Sequence, residues 1–375
     1  MKILITGGAG FIGGHTADLL LQHGHEVRVI DSLEPPVHPQ RVKPSHLRSD
    51  VEFILGDVRD KTEMEKALRD IDVVFHLAAY QDYLTNFSRF AFVNDGGTAL
   101  LYEIIVNNRL PIQKVIVASS QAVYGEGKYW CNSDGNQYPS PRSLKALSSG
   151  EWNPQCPVCG QDMIPIRTDE SRVNPHNQYA ISKYCQELYA LNLGQRYDIP
   201  TVMMRYSITQ GPRQSFFNAY SGVLRIFTLR MLNGLPPIIY EDGQQLRDYV
   251  YVGDVAKANL LVMESDAANY EVFNVGGDKS YTVLEYANLL IRLMGKDMEP
   301  EIGGKFRFGD TRHMISDIAK LQKLGLSPEI PVEHIAREYV DWVLSQPAIP
   351  PYHIEAEEVM RKNGVVRDVE RVFAA

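Results

Sequence analysis

Short apolar, β-branched runs recur along the first half of the chain, at 3–6, 26–30, 51–55, 72–77, 114–118 and 201–205. Stretches with helical spacing separate several of them, at 10–23, 62–69, 90–107 and 178–197. Strands that read as near-continuous apolar runs and alternate with helices predict a parallel sheet covered on both faces. From about residue 211 the regularity loosens. Helical pieces at 216–232, 252–263, 282–294 and 332–344 mix there with short strands at 238–240 and 272–274. The pattern predicts an α/β chain with a doubly wound sheet over 1–210, a smaller mixed α/β lobe over 211–346 that returns one or two elements to the first, and a C-terminal tail over 347–375. Residues 125–169 fit neither scheme: they are polar, rich in Pro, Ser and Gly, and carry three cysteines. A structureless loop of that length is improbable in a compact domain unless it is functional or independently braced.

The composition is that of an ordinary globular protein, 375 residues with 44% hydrophobic and 22% charged,. A net charge of −8 disfavours nucleic acid and anionic membranes as partners, while leaving room for a local basic pocket around a small phosphorylated ligand,. No run is long and apolar enough to span a bilayer, and Met1-Lys2 leads straight into Ile3-Leu4-Ile5, so a cytoplasmic protein is expected,. Four cysteines do not suggest a disulfide scaffold,.

The first strand ends in Gly7-Gly8-Ala9-Gly10-Phe11-Ile12-Gly13, and an apolar helix follows. Glycines between strand and helix let the backbone turn tightly and approach a pyrophosphate, whose charge the helix N-terminus favours. Asp31 ends the second strand, where a carboxylate accepts bonds from ribose hydroxyls and repels a 2′-phosphate, so NAD is favoured over NADP,. The sheet is thus expected to be of Rossmann type. Asp57, in Leu55-Gly56-Asp57-Val58, reads equally as a cap or turn residue and as a ligand of adenine,.

Tyr179-Ala180-Ile181-Ser182-Lys183 puts a phenol and an ammonium four residues apart on one helix face,. A tyrosine acting as base needs its pKa, ordinarily about 10, brought down, and Lys183 and an oxidised nicotinamide both work in that direction. Ser120, beyond the fifth strand, is placed to orient a substrate hydroxyl. With Leu77-Ala78-Ala79, Ser119-Ser120-Gln121-Ala122-Val123-Tyr124-Gly125 and Arg247-Asp248-Tyr249-Val250, these motifs resemble the extended short-chain dehydrogenase/reductases, and within them the nucleotide-sugar 4-epimerases, over nearly everything from Met1 to about Gly325.

The resemblance implies Ser120, Tyr179 and Lys183 as catalytic residues. It implies a cofactor site of Gly7, Gly10, Phe11, Ile12, Gly13, Asp31, Ser32, Asp57, Val58, Leu77, Ala78, Ala79, Asn94 and Tyr206, to which Tyr179 and Lys183 also belong. The implied reaction is transient oxidation: Tyr179 takes a sugar hydroxyl proton, hydride passes to NAD, and after the keto sugar turns over hydride returns to its other face. Related dehydratases carry Asp-Glu where Gln121 and Ala122 stand, and related decarboxylases often a Glu, so water loss and decarboxylation are disfavoured. The alternatives are a net nucleotide-sugar oxidoreductase or dehydratase, and a non-catalytic NAD-binding protein, against which the Ser120, Tyr179, Lys183 set argues.

For the diphosphate, arginine forks match phosphate oxygens. By resemblance Arg247, Arg312 and Asn218 are the ligands, and Arg213 has no preferred role. After Ala79, Tyr80-Gln81-Asp82-Tyr83 is bulkier and more polar than usual, and Gln81 and Asp82 read equally as ligands of sugar hydroxyls and as the start of a loop. The usual Arg-Tyr-Phe-Asn is Arg205-Tyr206-Ser207-Ile208 here, so an amide is missing near the sugar. Cys156-Pro157-Val158-Cys159-Gly160 has the shape of a zinc knuckle, with Cys131 a third ligand and Asp134 an oxygen donor,. A structural zinc is one reading, a remnant knuckle with free or disulfide-bonded thiols the other. The cysteine insert resembles that of proteins assigned as dTDP-L-rhamnose 4-epimerases, which implies dTDP-L-rhamnose or a related dTDP- or UDP-hexose as substrate. Family members commonly form homodimers through the helices corresponding to 90–107 and 178–197.

Overall fold

The computed structural model describes residues 1–215, 217–218, 222–347 and 352–369. Strand β1 (Lys2–Thr6) is fully buried at Ile3, Leu4 and Ile5, which places it at the centre of a sheet rather than its edge,. Then follow β2 (Glu26–Asp31), β3 (Glu52–Leu55), β4 (Val73–His76) and β5 (Lys114–Ser120). The insert adds β6 (Lys128–Cys131), β7 (Gly135–Gln137) and β8 (Ile164–Ile166), and the chain returns through β9 (Thr201–Tyr206). Beyond lie β10 (Ile208–Gln210), β11 (Ile238–Ile239), β12 (Leu246–Tyr251), β13 (Val272–Val275) and β14 (Ser280–Thr282).

Seven of these form one sheet in the order β13-β9-β5-β4-β1-β2-β3, every neighbouring pair parallel. Strand order reverses on either side of β1, and in such sheets ligands bind at the carboxyl ends beside that reversal. One face packs against the helices Phe11–Gln22 and Val252–Glu264, through residues such as Ala17, Leu20, Val255 and Val262. The other face packs against Lys61–Ala67, Gly97–Asn107 and Gln178–Arg196, through Met64, Leu101, Ile105 and Ala190. A second core, around Leu224, Phe227, Tyr286, Leu290 and Tyr339, sits beneath the small sheet β10-β12-β14. Strand β13 and the helices Val252–Glu264 and Ala319–Leu324 are elements that the later part of the chain contributes to the main sheet and its core.

Three segments differ from the sequence pattern. The helix expected at 90–107 is broken into Phe87–Phe90, a π-helical turn Ala91–Gly96, and Gly97–Asn107. The cause lies at Asn94, whose buried amide accepts from Tyr80 N (2.8 Å) and donates to Tyr80 O (3.1 Å) and Ser182 Oγ (2.8 Å). Turning that polar group inward costs one widened turn, the sort of irregularity that marks functional regions. The helix expected at 216–232 is described as Val223–Leu232; residues 216 and 219–221 lie outside the described residues. The insert is no loop: β7, β6 and β8 pair antiparallel around a small core of Tyr129, Cys131, Cys156 and Met163. After β15 (Glu301–Ile302) and β16 (Lys305–Arg307), the C-terminal stretch adds a helix Tyr352–Lys362 and β17 (Val366–Asp368), which pairs antiparallel with β16.

No helix among the described residues is long and apolar enough to cross a membrane.

Candidate active site

The glycine turn is set by contacts rather than flexibility. Gly7 has φ +69°, and a Cβ there would lie 2.8 Å from the Ala78 backbone; at Gly13 it would meet Gly7 O at 2.6 Å. Any side chain at either point would push the turn off β4 or fill its own hollow. The helix Phe11–Gln22 starts at Gly10 with no side-chain cap and no acidic residue in its first turn, leaving its N-terminus suited to an anion,. Asp31 accepts from Ala9 N (3.0 Å) and Leu33 N (2.9 Å), which aim its carboxylate; burial pushes its pKa up, and those two amides oppose the shift.

Two cavities meet above the sheet edge. The smaller, about 330 Å³, holds every residue expected at the cofactor except Asn94. Asn94 is fully buried and braces the Tyr80 backbone from behind, so its part is positional. Asp57 lines this crevice beside Val58, its carboxylate held by Arg59 Nε at 2.9 Å. The cap of the following helix is Asp60, which accepts from Glu63 N, so Asp57 is not the cap; it is a turn residue, its Oδ1 accepting from Arg59 N at 2.9 Å. Asn218 also falls here rather than in the larger cavity, with its buried Oδ1 unpartnered among the described residues.

The larger cavity, about 670 Å³, is lined by Gln81, Asp82, Ser120, Gln121, Ala122, Ile208 and Arg247. Tyr179 borders both cavities; Ser120 lies on one side of it and Lys183 on the other. Ser120 Oγ accepts from Ala122 N (3.1 Å). Burial pushes the Tyr179 phenol up to about 12, with the Ser120 hydrogen bond opposing. Burial pushes the Lys183 ammonium down to about 7, while Glu187 and Asp95 work the other way. Its Nζ donates to Ala118 O (2.7 Å) and Gln186 Oε1 (2.9 Å). In this arrangement burial is the largest influence on both groups.

Behind the pair runs a polar thread invisible to sequence spacing. Gln186 donates to Thr98 Oγ1, Thr98 to Asn94 O, and His76 sits between Thr98 (3.1 Å) and Thr6 (2.9 Å). Since Thr98 spends its proton on Asn94 O, Nε2 of His76 carries the hydrogen and Nδ1 accepts from Thr6, whose oxygen takes the Ala78 N–H. The ring is a neutral strut between the glycine strand and the Lys183 helix. Burial pushes its pKa down to about 3. A histidine with a depressed folded pKa stabilises fully above its unfolded value of about 6.5 and loses that contribution as pH falls; at pH 5 the loss is about 2 kcal/mol. NMR of the folded protein should show a His76 ring that stays neutral at pH 5, and titration near the ordinary value would overturn this.

Glu187 forms a bidentate buried pair with Arg205 (2.9 and 2.7 Å) and accepts from Ser119, fastening the same helix to β5 and β9.

Three arginines part company. Arg213 pairs with Asp18 at 2.6 Å. Arg247 lines the cavity, braced by Leu246 O, Arg312 O and Thr311 O. Arg312, expected at the diphosphate, does not reach the cavity: it is 1% exposed, with its guanidinium spent on Asn153, Glu241 and Asp242. That assignment is corrected, since the carboxylates already fill its fork. Arg307, which the sequence reading missed, lies in the cavity instead, 4.9 Å from the ring centres of both Tyr83 and Tyr240. Its Nε is buried with no partner among the described residues. The signal available was a second arginine five positions before Arg312, which spacing alone could not rank. Asp82 is held by Tyr80 OH and by Leu84 N (2.7 Å). Ile208, at the site of the missing amide, lines the larger cavity, and Ser207 before it bonds Asp248 (2.8 Å) and Ser316 (2.7 Å).

In the insert, Cys131, Asp134, Cys156 and Cys159 bring their donor atoms within 4.8 Å of one another.

A family model described as NAD dependent epimerase/dehydratase family matches residues 3–276. The chain is 32% identical over 371 residues to the dTDP-L-rhamnose 4-epimerase of Burkholderia thailandensis, covering 96% of this chain and 97% of that protein. The structure of UDP-glucose 4-epimerase from Thermotoga maritima with UDP-glucose matches with a TM-score of 0.75 at 31% identity, over 92% of this chain and 99% of that one. That of Thermus thermophilus UDP-glucose 4-epimerase in complex with NAD matches with a TM-score of 0.70 at 29% identity, over 92% and 99%.

Proposed function

Since the chain belongs to the NAD dependent epimerase/dehydratase family, we propose that it interconverts two C4 epimers of a nucleotide-activated hexose with NAD as resident cofactor. The observation that carries this is the position of Tyr179 at the meeting of the two cavities, with Ser120 beside it and the untitratable Gln121 and Ala122 next along the wall. A dehydratase needs an acid and a base at that point.

The glycine turn, Asp31 and Lys183 would hold NAD, which supplies a reversible hydride acceptor when bound. Ser120 orients the C4 hydroxyl and Tyr179 takes and returns its proton. Arg247 and Arg307 hold the diphosphate, leaving the sugar free to turn between the two half-reactions. Ile208 and Ala122 offer apolar surface on the sugar side, which favours a 6-deoxyhexose over a uronic acid and makes dTDP-L-rhamnose the first candidate,. The reading includes a homodimer, for Phe92, Ile181, Leu188 and Tyr189 are exposed apolar residues on the helices through which such a pair would form. It also includes zinc in the cysteine cluster, in a bracing role, because proton and hydride transfer ask for none.

The test is incubation with dTDP- and UDP-hexoses followed by chromatography and mass spectrometry. Expected is an epimer of unchanged mass with no accumulation of NADH; loss of water or a stoichiometric rise in NADH sinks the proposal. Replacing Arg307 with Met should raise KM for the nucleotide sugar about 10- to 100-fold with kcat little changed, the loss of a charge-assisted contact. A KM within twofold of wild type would remove Arg307 from the diphosphate site.

A further inference from the structure

We infer that the cysteine insert is a metal-closed clamp that sets the pose of the diphosphate arginine Arg307. The inference rests on the zinc and diphosphate readings above and adds the link between them.

The donor geometry suits one tetrahedral ion. Cys131 Sγ lies 3.5 Å from Cys159 Sγ and 3.5 Å from Asp134 Oδ2, and Cys156 Sγ lies 3.2 Å from the same oxygen. A tetrahedral zinc with Zn–S bonds of about 2.3 Å holds its sulfurs roughly 3.8 Å apart, and a sulfur and an oxygen somewhat closer. A disulfide needs about 2.05 Å, far from the observed spacing. Cys131 and Cys156 are buried while Cys159 is exposed, so the site has both an anchored side and an entry path.

Binding at Cys131 and Cys156 closes the chain between them into a loop. Three residues of that loop reach across to the segment that carries Arg307. Trp152 packs on Phe306 with ring centres 6.2 Å apart. Arg142 donates to Asp310 O at 2.8 Å. Asn153 accepts from Arg312 Nε at 2.9 Å. Phe306 precedes Arg307 in the chain, and Asp310 and Arg312 follow it, so the loop grips the segment on both sides of that arginine. Closing the loop at its base removes conformational freedom from all three grips at once. Without the ion, the loop's ends are joined by the short strands of the insert, its four-residue core, and weak polar contacts such as Ser133 Oγ to Gln161 Oε1 (3.1 Å).

The test uses the full chain and needs no turnover. Metal content is measured by elemental analysis, and cobalt(II) added to stripped protein is followed by its thiolate charge-transfer and d–d bands. Expected is one zinc per chain, lost in Cys156→Ser, with tetrahedral cobalt spectra in the wild type. Binding of dTDP and UDP is then measured by calorimetry. Stripping the metal should weaken both nucleotides about tenfold, the cost of an unorganised clamp, while NAD binding stays within twofold. Asn153→Ala keeps all four donors; it should retain its zinc and weaken the nucleotides several-fold. Absence of metal with no cobalt spectrum, or a Cys131–Cys159 disulfide by mass spectrometry, overturns the metal site. Full zinc with nucleotide affinity unmoved by stripping and by Asn153→Ala overturns the clamp alone, and collapse of the whole fold on stripping overturns its local character. Failure to epimerise any sugar bears on the proposed reaction and leaves these binding results standing.

Discussion

Tyr179→Phe should leave a folded protein that still carries NAD yet turns over nucleotide sugar about 10²- to 10⁴-fold more slowly, the usual worth of a positioned proton-transfer group. The half-buried ring borders the two cavities, and Phe fills the same space, so neither stability nor cofactor affinity has reason to change much. What disappears is one of two phenols bordering both cavities; the other, Tyr206, donates its proton to Asn259 Oδ1 at 2.7 Å. Burial pushes that phenol up to about 12, whereas a base must be ionised near neutrality. Bringing it down by about five units corresponds to roughly 7 kcal/mol of differential stabilisation, which Ser120 alone does not provide. Positive charge on the cofactor side of the ring has to supply most of it, and Lys183 stands there. As the proton acceptor is the deprotonated form, kcat/KM of the wild type should rise with pH and level off, and the residual rate of Tyr179→Phe should lack that limb. Undiminished turnover, or an unchanged pH profile, would falsify the role.

Arg312→Met should destabilise the protein by about 3–5 kcal/mol, the range for removing one partner from a buried ionic cluster. Arg312 and Arg142 are interleaved with Glu126, Glu241 and Asp242; Arg142 and Arg312 both bond Glu241 at 2.9 Å. Without Arg312, Asp242 loses its main counter-charge and Glu241 is left to Arg142. The pKa of Glu241 is already raised by burial against the pull of its arginines, so it would rise further. A carboxyl whose folded pKa lies above its unfolded value destabilises the fold at higher pH and is relieved as pH falls through the folded value. The deficit against wild type should therefore shrink from pH 7 to pH 5 in paired thermal melts. If instead the melt is untouched and KM for the nucleotide sugar climbs tenfold, Arg312 belongs at the diphosphate after all.

How much of this was legible in the sequence can be judged residue by residue. Gly7, Gly13 and Asp31 announced themselves because their roles are local: each depends on a turn or strand end within a few dozen residues. Tyr179 and Lys183 were legible for the same reason, four residues apart on one helix. Arg312 and Arg307 were not separable, since both sit in one irregular segment, and only their distant neighbours decide which guanidinium is spent. Carboxylates at Glu241 and Asp242 claim the first; the rings of Tyr83 and Tyr240 hold the second at the cavity wall. Asn94 shows the same limit, for a helical pattern cannot report a side chain that turns inward to brace another loop. The C-terminal stretch gave no signal because its two short elements gain partners distant in the chain: β17 pairs with β16, and Glu357 of the helix pairs with Arg230 and Lys305.

The sequence by itself determined the parallel sheet, its glycine turn, the tyrosine–lysine pair and the knuckle spacing of the cysteines, all encoded in periodicity and short-range spacing. The tertiary structure alone decided which arginine faces the cavity, which way burial moves the tyrosine and the lysine, how Asp134 joins the thiols, and where the insert touches the nucleotide end. Those outcomes depend on contacts between residues far apart in the chain, where local pattern carries no information and packing selects among groups of equal chemistry.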